Sequence, residues 1–325
     1  MQPAVSKAML SKYEKGLSLP DSPKLIALAR ALAVSVDYFF QAPAMELEQV
    51  EFRQKARLGS KAQARILAQV AEQTSRYLEL ESLTGALRLF ENPLSDWDIH
   101  EAADVERAAL HLREVWRLGL NPLANVLELL EEVGVKVFLV EADPAFDGLS
   151  ARAGHTPVIA INAGFDAVRK RCTALHELGH LLLNLSPTAK DQAEGLCHTF
   201  ANAFLMPKPI FLGAFGQQAA GRRHKVAIEE LTSIKAIYGI SIQALMKRAQ
   251  QLQLITDQSY RSFNLYLHQT GQRQQEPGQY QGEEAPKRFR QLLYRAAAEE
   301  VITLSKAAAL GGMSLSTFRG NFVAL

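Results

Sequence analysis

Cysteine is nearly absent: Cys172 and Cys197 are the only two in 325 residues. So few cannot form a disulfide framework, and a reducing compartment, the cytoplasm, is expected rather than secretion. The N-terminus lacks a charged stretch followed by an apolar run, the pattern of a secretory leader. No apolar run is long enough to span a bilayer, so no membrane contact is expected. Charge of one sign is also lacking. Thirty-six lysines and arginines face 34 aspartates and glutamates, a formal +2, with a pI near 8.4. That balance is too mild to imply nucleic acid by itself, so any basic patch has to be local. With 48% hydrophobic and 22% charged residues the chain is not a disordered one.

What is present begins with short helical segments. "VSKAMLSKYEKG" (5–16) is a helix closed by Gly16, and "LSLP" is a turn. In "DSPKLIALARALAVS" (21–35), Asp21 or Ser22 is the candidate N-cap, and Leu25, Leu28, Ala29 and Leu32 fall at helical spacing. "VSVDYFF" (34–40) starts another short helix. From about 44 to 134 the pattern is helical almost throughout. Within it "FRQKARLGSKAQARI" (52–66) carries Arg53, Lys55, Arg57, Lys61 and Arg65 with no acid among them. A solvated helix face or linker explains that run better than a phosphate-contacting arm.

The pattern then changes. "VKVFLV" (135–140), "FDGLSARA" (146–153) and "PVIAIN" (157–162) read as three strands, the last two joined by a "GHTP" turn. Helices are expected at 165–184, 188–205, 225–237 and 241–253. The Gln-, Gly- and Pro-rich stretch 268–287 reads as a flexible connector, and 288–325 as a terminal helical pair.

"CTALHELGHLLLNL" (172–185) carries the chemistry. On a helix, positions i and i+4 share a face, so His176 and His180 can aim two imidazoles at one ion. Glu177, directly after the first histidine, can act as general base without binding the metal. Gly179 leaves room for a neighbouring backbone or side chain. The competing reading is an apolar core helix with two satisfied histidines. A catalytic metal needs a third protein ligand and one open position. In "DQAEGLCHTFANAFLMP" (191–207) Glu194 is the candidate, and Asp191 a weaker one. His198, four residues after Glu194, can close the site as a fourth ligand, although a hydrogen-bonding role beside the metal is commoner. Cys172, one turn before His176, fits core packing better than ligation. His155 fits an exposed turn.

Two resemblances follow from these residues. "SKAMLSKYEKGLSLPDSPKLIALARALAVSVDYFF" resembles the back half of a Cro-repressor-type (Xre) helix-turn-helix domain, whose recognition helix would end in "SKYEKG"; its two front helices are missing. "DGLSARAGHTPVIAIN", "RKRCTALHELGHLLLNL", "EGLCHTFANAFLMP" and "LTSIKAIYGISIQALMKRAQQLQLI" together resemble the ImmA/IrrE-type metallopeptidases. The second resemblance implies zinc on His176, His180 and Glu194, with Glu177 as the base. It also implies an α+β, mostly α-helical fold: a thermolysin-like zincin core whose small three-stranded sheet offers an edge to an extended peptide. The resulting organisation is a partial helix-turn-helix (1–43), a helical linker region (44–122), a metallopeptidase domain (123–267), a flexible linker (268–287) and a C-terminal helical segment (288–325).

The resemblance implies a zinc endopeptidase that regulates transcription by cutting a Cro-like repressor at one site. The alternative is a DNA-binding regulator or antitoxin, paired with a toxin, in which the peptidase fold is a sensor or scaffold. Because the recognition helix lacks its supporting bundle, weak and unselective binding to duplex DNA is expected. Residual binding through Arg53, Lys55 and Arg57 should fall steeply between about 50 and 200 mM salt. Fluorescence anisotropy checks this; tight, sequence-specific, salt-resistant binding would contradict it.

Overall fold

The computed structural model describes all residues except 1–4, 33–35, 37–38, 40–45, 55–57, 186–189, 217–221, 274 and 323–325, together with the side chains of Gln54 and Lys190. The chain divides into two compact units, 1–44 and 45–325.

In the first unit α1 (Lys7–Glu14) is capped by Ser6, whose hydroxyl accepts from the Met9 amide at 3.3 Å. Gly16 ends it with φ 67°, the left-handed turn expected of that glycine. Asp21 caps α2 (Ser22–Leu32), accepting from the Lys24 amide at 3.0 Å. The helix expected from "VSVDYFF" falls almost wholly outside the described residues.

The second unit is built on one sheet. Its strands are β1 (Glu48–Gln54), β2 (Lys136–Val140), β3 (Phe146–Ala153) and β4 (Thr156–Asn162), in the order β1-β3-β4-β2. β3 and β4 form the expected hairpin, β2 runs parallel to β4, and β1 is antiparallel to β3. The sheet therefore has four strands where three were expected. The extra strand comes from "EQVEFRQ", in the stretch read as helical. Its apolar residues Val50 and Phe52 are two apart, the strand period, and both pack on the sheet's outer core.

Helices cover both faces. α3 (Ser60–Thr84) lies on one, where Leu58, Ile66 and Val70 meet Leu149, Ala151, Val158 and Ala160. The other face carries α4 (Ala102–Val115), α5 (Val126–Glu132), α6 (Ala167–Leu182) and α7 (Lys190–Leu205), followed by α8 (Lys208–Phe215), α9 (Ile228–Tyr238), α10 (Ile242–Gln251) and α11 (Asp257–Gln269). Val137, Ile159 and Ile161 point into this larger core, so β4 alternates cleanly between the two. Residues 44–122 are thus no mere linker, since they supply a strand and two helices to the body.

The Gln-, Gly- and Pro-rich stretch is likewise packed rather than flexible. Glu276 accepts from the Ile242 amide at 2.9 Å and the Gln243 amide at 3.2 Å, capping α10. Glu284 accepts from the Val126 and Leu127 amides at 2.9 and 3.2 Å, capping α5. Carboxylates suit helix N-termini because the unpaired amides and the helix dipole converge there. Glu284 also pairs with Arg171 of α6, both side chains being fully buried. Beyond it come α12 (Arg288–Ala298), α13 (Leu304–Leu310) and α14 (Leu315–Asn321), three helices rather than a pair. The expected long helix breaks at Glu300, whose φ is 56°.

Breaking a buried ion pair leaves one charge uncompensated, which costs about 3–5 kcal/mol. Glu284→Ala should lower unfolding stability by that order in a urea titration. An unchanged midpoint would mean that Arg171 finds another partner.

Candidate metal centre

α6 begins at Asp166, whose carboxylate accepts from the Arg169 amide at 2.8 Å. It then runs beneath β3 and β4. Leu175, Leu178, Leu181 and Leu182 enter the main core, which leaves His176, Glu177 and His180 as the polar group on the helix. Two glycines let its neighbours close in. A Cβ on Gly148 of β3 would sit 2.9 Å from Thr173 Cγ2, 3.1 Å from the Ala160 carbonyl oxygen and 3.5 Å from Glu177 Cγ. A Cβ on Gly179 would sit 3.2 Å from both Cβ and Sγ of Cys197, where α7 crosses. The close packing expected at Gly179 is therefore found, with α7 as the neighbour.

That crossing brings Glu194 onto the histidines. His176 Nε2 lies 3.1 Å from Glu194 Oε2 and 3.1 Å from His180 Nε2. His180 Nε2 lies 3.6 Å from Glu194 Oε1. Three donors held 2.0–2.2 Å from a tetrahedral ion lie about 3.3–3.5 Å apart, so the observed spacings fit one. Electron-rich atoms this close repel unless a proton or a cation sits among them. His180 Nδ1 is 2.8 Å from Glu51 Oε2 on β1. A carboxylate accepts only, so Nδ1 carries the proton there and a neutral ring keeps its Nε2 lone pair for the cluster.

His198 is a fourth neighbour. Its ring centroid is 4.3 Å from that of His176, and His176, Glu194 and His198 offer donor atoms within 4.8 Å of one another. His176, Glu194 and His198 thus form a second set of donors about the same point, one that leaves out the expected ligand His180. Asp191 is exposed on the first turn of α7 and is outside this group. Cys172 packs against the main core, and His155 is exposed in the hairpin turn.

The electrostatics follow from burial. Burial pushes the Glu177 carboxyl up to about 8; Glu194 and Glu51 add to this, while the Arg53 guanidinium and the Ser150 hydroxyl oppose it. Both Glu177 oxygens are buried with the Ser150 hydroxyl as a polar neighbour but no hydrogen bond of good geometry among the described residues, and His176 Nδ1 is likewise buried without a partner. Burial holds His176 down to about 3, whereas His198 is exposed. The close contact with His176 Nε2 holds Glu194 down to about 2. The site thus offers neutral imidazole nitrogens and an ionised carboxylate, the donor set a borderline divalent ion takes.

The match to known families agrees with this geometry. Residues 130–250 match the peptidase family model described as the IrrE N-terminal-like domain. Residues 5–39 match a helix-turn-helix model. The chain thus carries a stretch similar to a helix-turn-helix and, further on, one similar to an IrrE N-terminal-like domain. No curated protein matches it. No helix among the described residues is long and apolar enough to cross a membrane.

Two neighbours of the cluster escaped the sequence reading: Glu51 and Arg53. Arg53, expected on a solvated basic face or linker, has a half-buried side chain whose charge acts on Glu177, His176 and His198. While β1 is docked it is not offered to a phosphate. Lys55 and Arg57 lie outside the described residues; Lys61 and Arg65 are exposed on α3. The alternation in "EQVEFRQ" was the signal that could have placed Glu51 and Arg53 on one strand face.

The α6–α7 approach sets the ligand spacing, and Gly179→Val would force it open. Overpacking of this kind costs about 1–3 kcal/mol. A thermal melt should show the loss; an unshifted melting temperature would mean α7 yields without strain.

Proposed function

We propose that the chain is a zinc endopeptidase with His176, His180 and Glu194 as the metal ligands and Glu177 as the general base. The observation that supports this reading is the convergence of the Nε2 atoms of His176 and His180, 3.1 Å apart, on the two oxygens of Glu194 at 3.1 and 3.6 Å, with the buried Glu177 carboxylate one residue along the helix. A structural zinc site has no need of that carboxylate. A zinc ion held there supplies Lewis acidity for the attack of water on a peptide carbonyl.

The chain's own residues do the rest. Glu177 Oε takes a proton from the attacking water and can return it to the departing amine. Its ordinary affinity for a proton is raised by burial, which suits a base working near neutral pH. While β1 is docked, the Glu51 contact holds the His180 ring in the tautomer that points Nε2 at the ligands. His198 stands beside the cluster as a polar neighbour and leaves one position open.

The helix-turn-helix match supports a regulatory role; the protein substrate we propose is a Cro-like repressor. A scaffold or antitoxin, bound to DNA or to a toxin, is the competing reading, and one substitution separates the two. The protein should carry about one zinc per chain, lost in the double variant His176→Ala, His180→Ala, by elemental analysis. Glu177→Gln should retain the zinc and bind the repressor, yet cut it at least about a hundredfold more slowly. Full regulation in cells by the Glu177→Gln protein, with none by His176→Ala, would make the metal structural and end the peptidase reading.

A further inference from the structure

The sheet edge beside the cluster is filled by the chain itself. β1 comes from outside residues 130–250, the stretch that matches the peptidase family model. It lies antiparallel along β3, pairing Glu51 with Ser150, Phe52 with Leu149 and Arg53 with Gly148. Gly148 and Ser150 are the β3 residues next to Glu177. Phe52 turns the other way, edge-on to Phe146 with ring centroids 6.3 Å apart. Glu51 and Arg53 face the cluster together: Glu51 Oε2 reaches His180 Nδ1 at 2.8 Å, and Arg53 Nη1 is buried with no hydrogen-bond partner among the described residues.

An extended peptide that adds to a sheet edge gains backbone hydrogen bonds from the edge and selectivity from its alternate side chains. β1 does both at the place where a peptide must lie to meet Glu177. Its hold is short. The register breaks between Glu48 and Glu51 and again between Arg53 and Gln54. Gln49 takes φ 49°, a conformation that residues with a Cβ rarely adopt. Register breaks at both ends and a residue in the left-handed region leave only three consecutive ladder pairs holding β1 to β3, besides the packing of Val50 and Phe52.

We propose that residues 48–54 are a tethered occupant of the β3 edge, displaced by a partner segment with the same acidic–apolar–basic succession as Glu51, Phe52 and Arg53. This rests on the peptidase reading for the location of the cleft. It adds a substrate class to that reading and a reason for the free chain to be idle.

The test needs no turnover, so its failure is distinct from a failure of the zinc or cleavage measurements. The zinc-loaded full chain carrying Glu177→Gln is compared with the same chain carrying Phe52→Asp as well, which removes the apolar anchor of β1. The probe is a fluorescein-labelled peptide of residues 46–54, Glu-Leu-Glu-Gln-Val-Glu-Phe-Arg-Gln. Anisotropy should show binding at least tenfold tighter to the Phe52→Asp chain, and at least tenfold weaker once the peptide's penultimate arginine and its third glutamate are alanine. Amide exchange of the chain without Phe52→Asp covers the case in which that variant misfolds: excess peptide should deprotect residues 48–54 while 148–152 stay protected. Equal binding to both chains, binding indifferent to the glutamate and arginine, no binding to either, or a bound peptide that leaves 48–54 protected would each overturn the proposal.

Discussion

Where α7 crosses α6, the two backbones approach so closely that Gly179 has no room for a side chain without displacing Cys197. Helix axes separated by one extra methyl would draw Glu194 back from both histidines, and the three donors would no longer share one ion. The same requirement recurs on the opposite side, where Gly148 lets β3 settle against Thr173 and Glu177. Between these contacts the polar face of α6 is squeezed out of water. The burial of Glu177 follows from that squeeze, and so does its raised proton affinity.

Elsewhere in the second unit, several buried charges are paired across the fold. Lys136 of β2 and Arg288 at the start of α12 both reach Glu81 of α3, at 2.8 and 2.6 Å. Arg248 of α10 grips Glu106 of α4 at 2.6 and 2.9 Å. Arg171 of α6 meets Glu284, and its guanidinium also lies over the Tyr280 ring. Such pairs contribute little net stability over well-packed apolar residues. Their value here is in placement: each joins elements far apart in sequence, and a mispaired charge in the interior would be costly.

The motif helix, its two histidines, the following glutamate and the β3–β4 hairpin were all legible from spacing, because a periodic apolar pattern surrounds a few polar exceptions. β1 was not. A seven-residue strand with two apolar residues, set between helices and followed by a basic run, carries too little periodic signal to compete with its neighbours. The packed stretch 275–287 was missed for a different reason. Glu276 and Glu284 work by capping helices that begin 34 and 158 residues away, and no local pattern encodes a partner at that distance. Composition alone reads such a segment as a linker.

That long-range capping bears on how the chain is made. Arg171 leaves the ribosome 113 residues before Glu284, an interval of roughly 6 to 20 s at ordinary elongation rates. Throughout it the guanidinium destined for the middle of the protein lacks its carboxylate, and the Val126 and Leu127 amides lack the acceptor that supplements the Asn125 cap of α5. The helix that carries His176, Glu177 and His180 therefore completes the ion pair in its N-terminal half only once residue 284 has emerged.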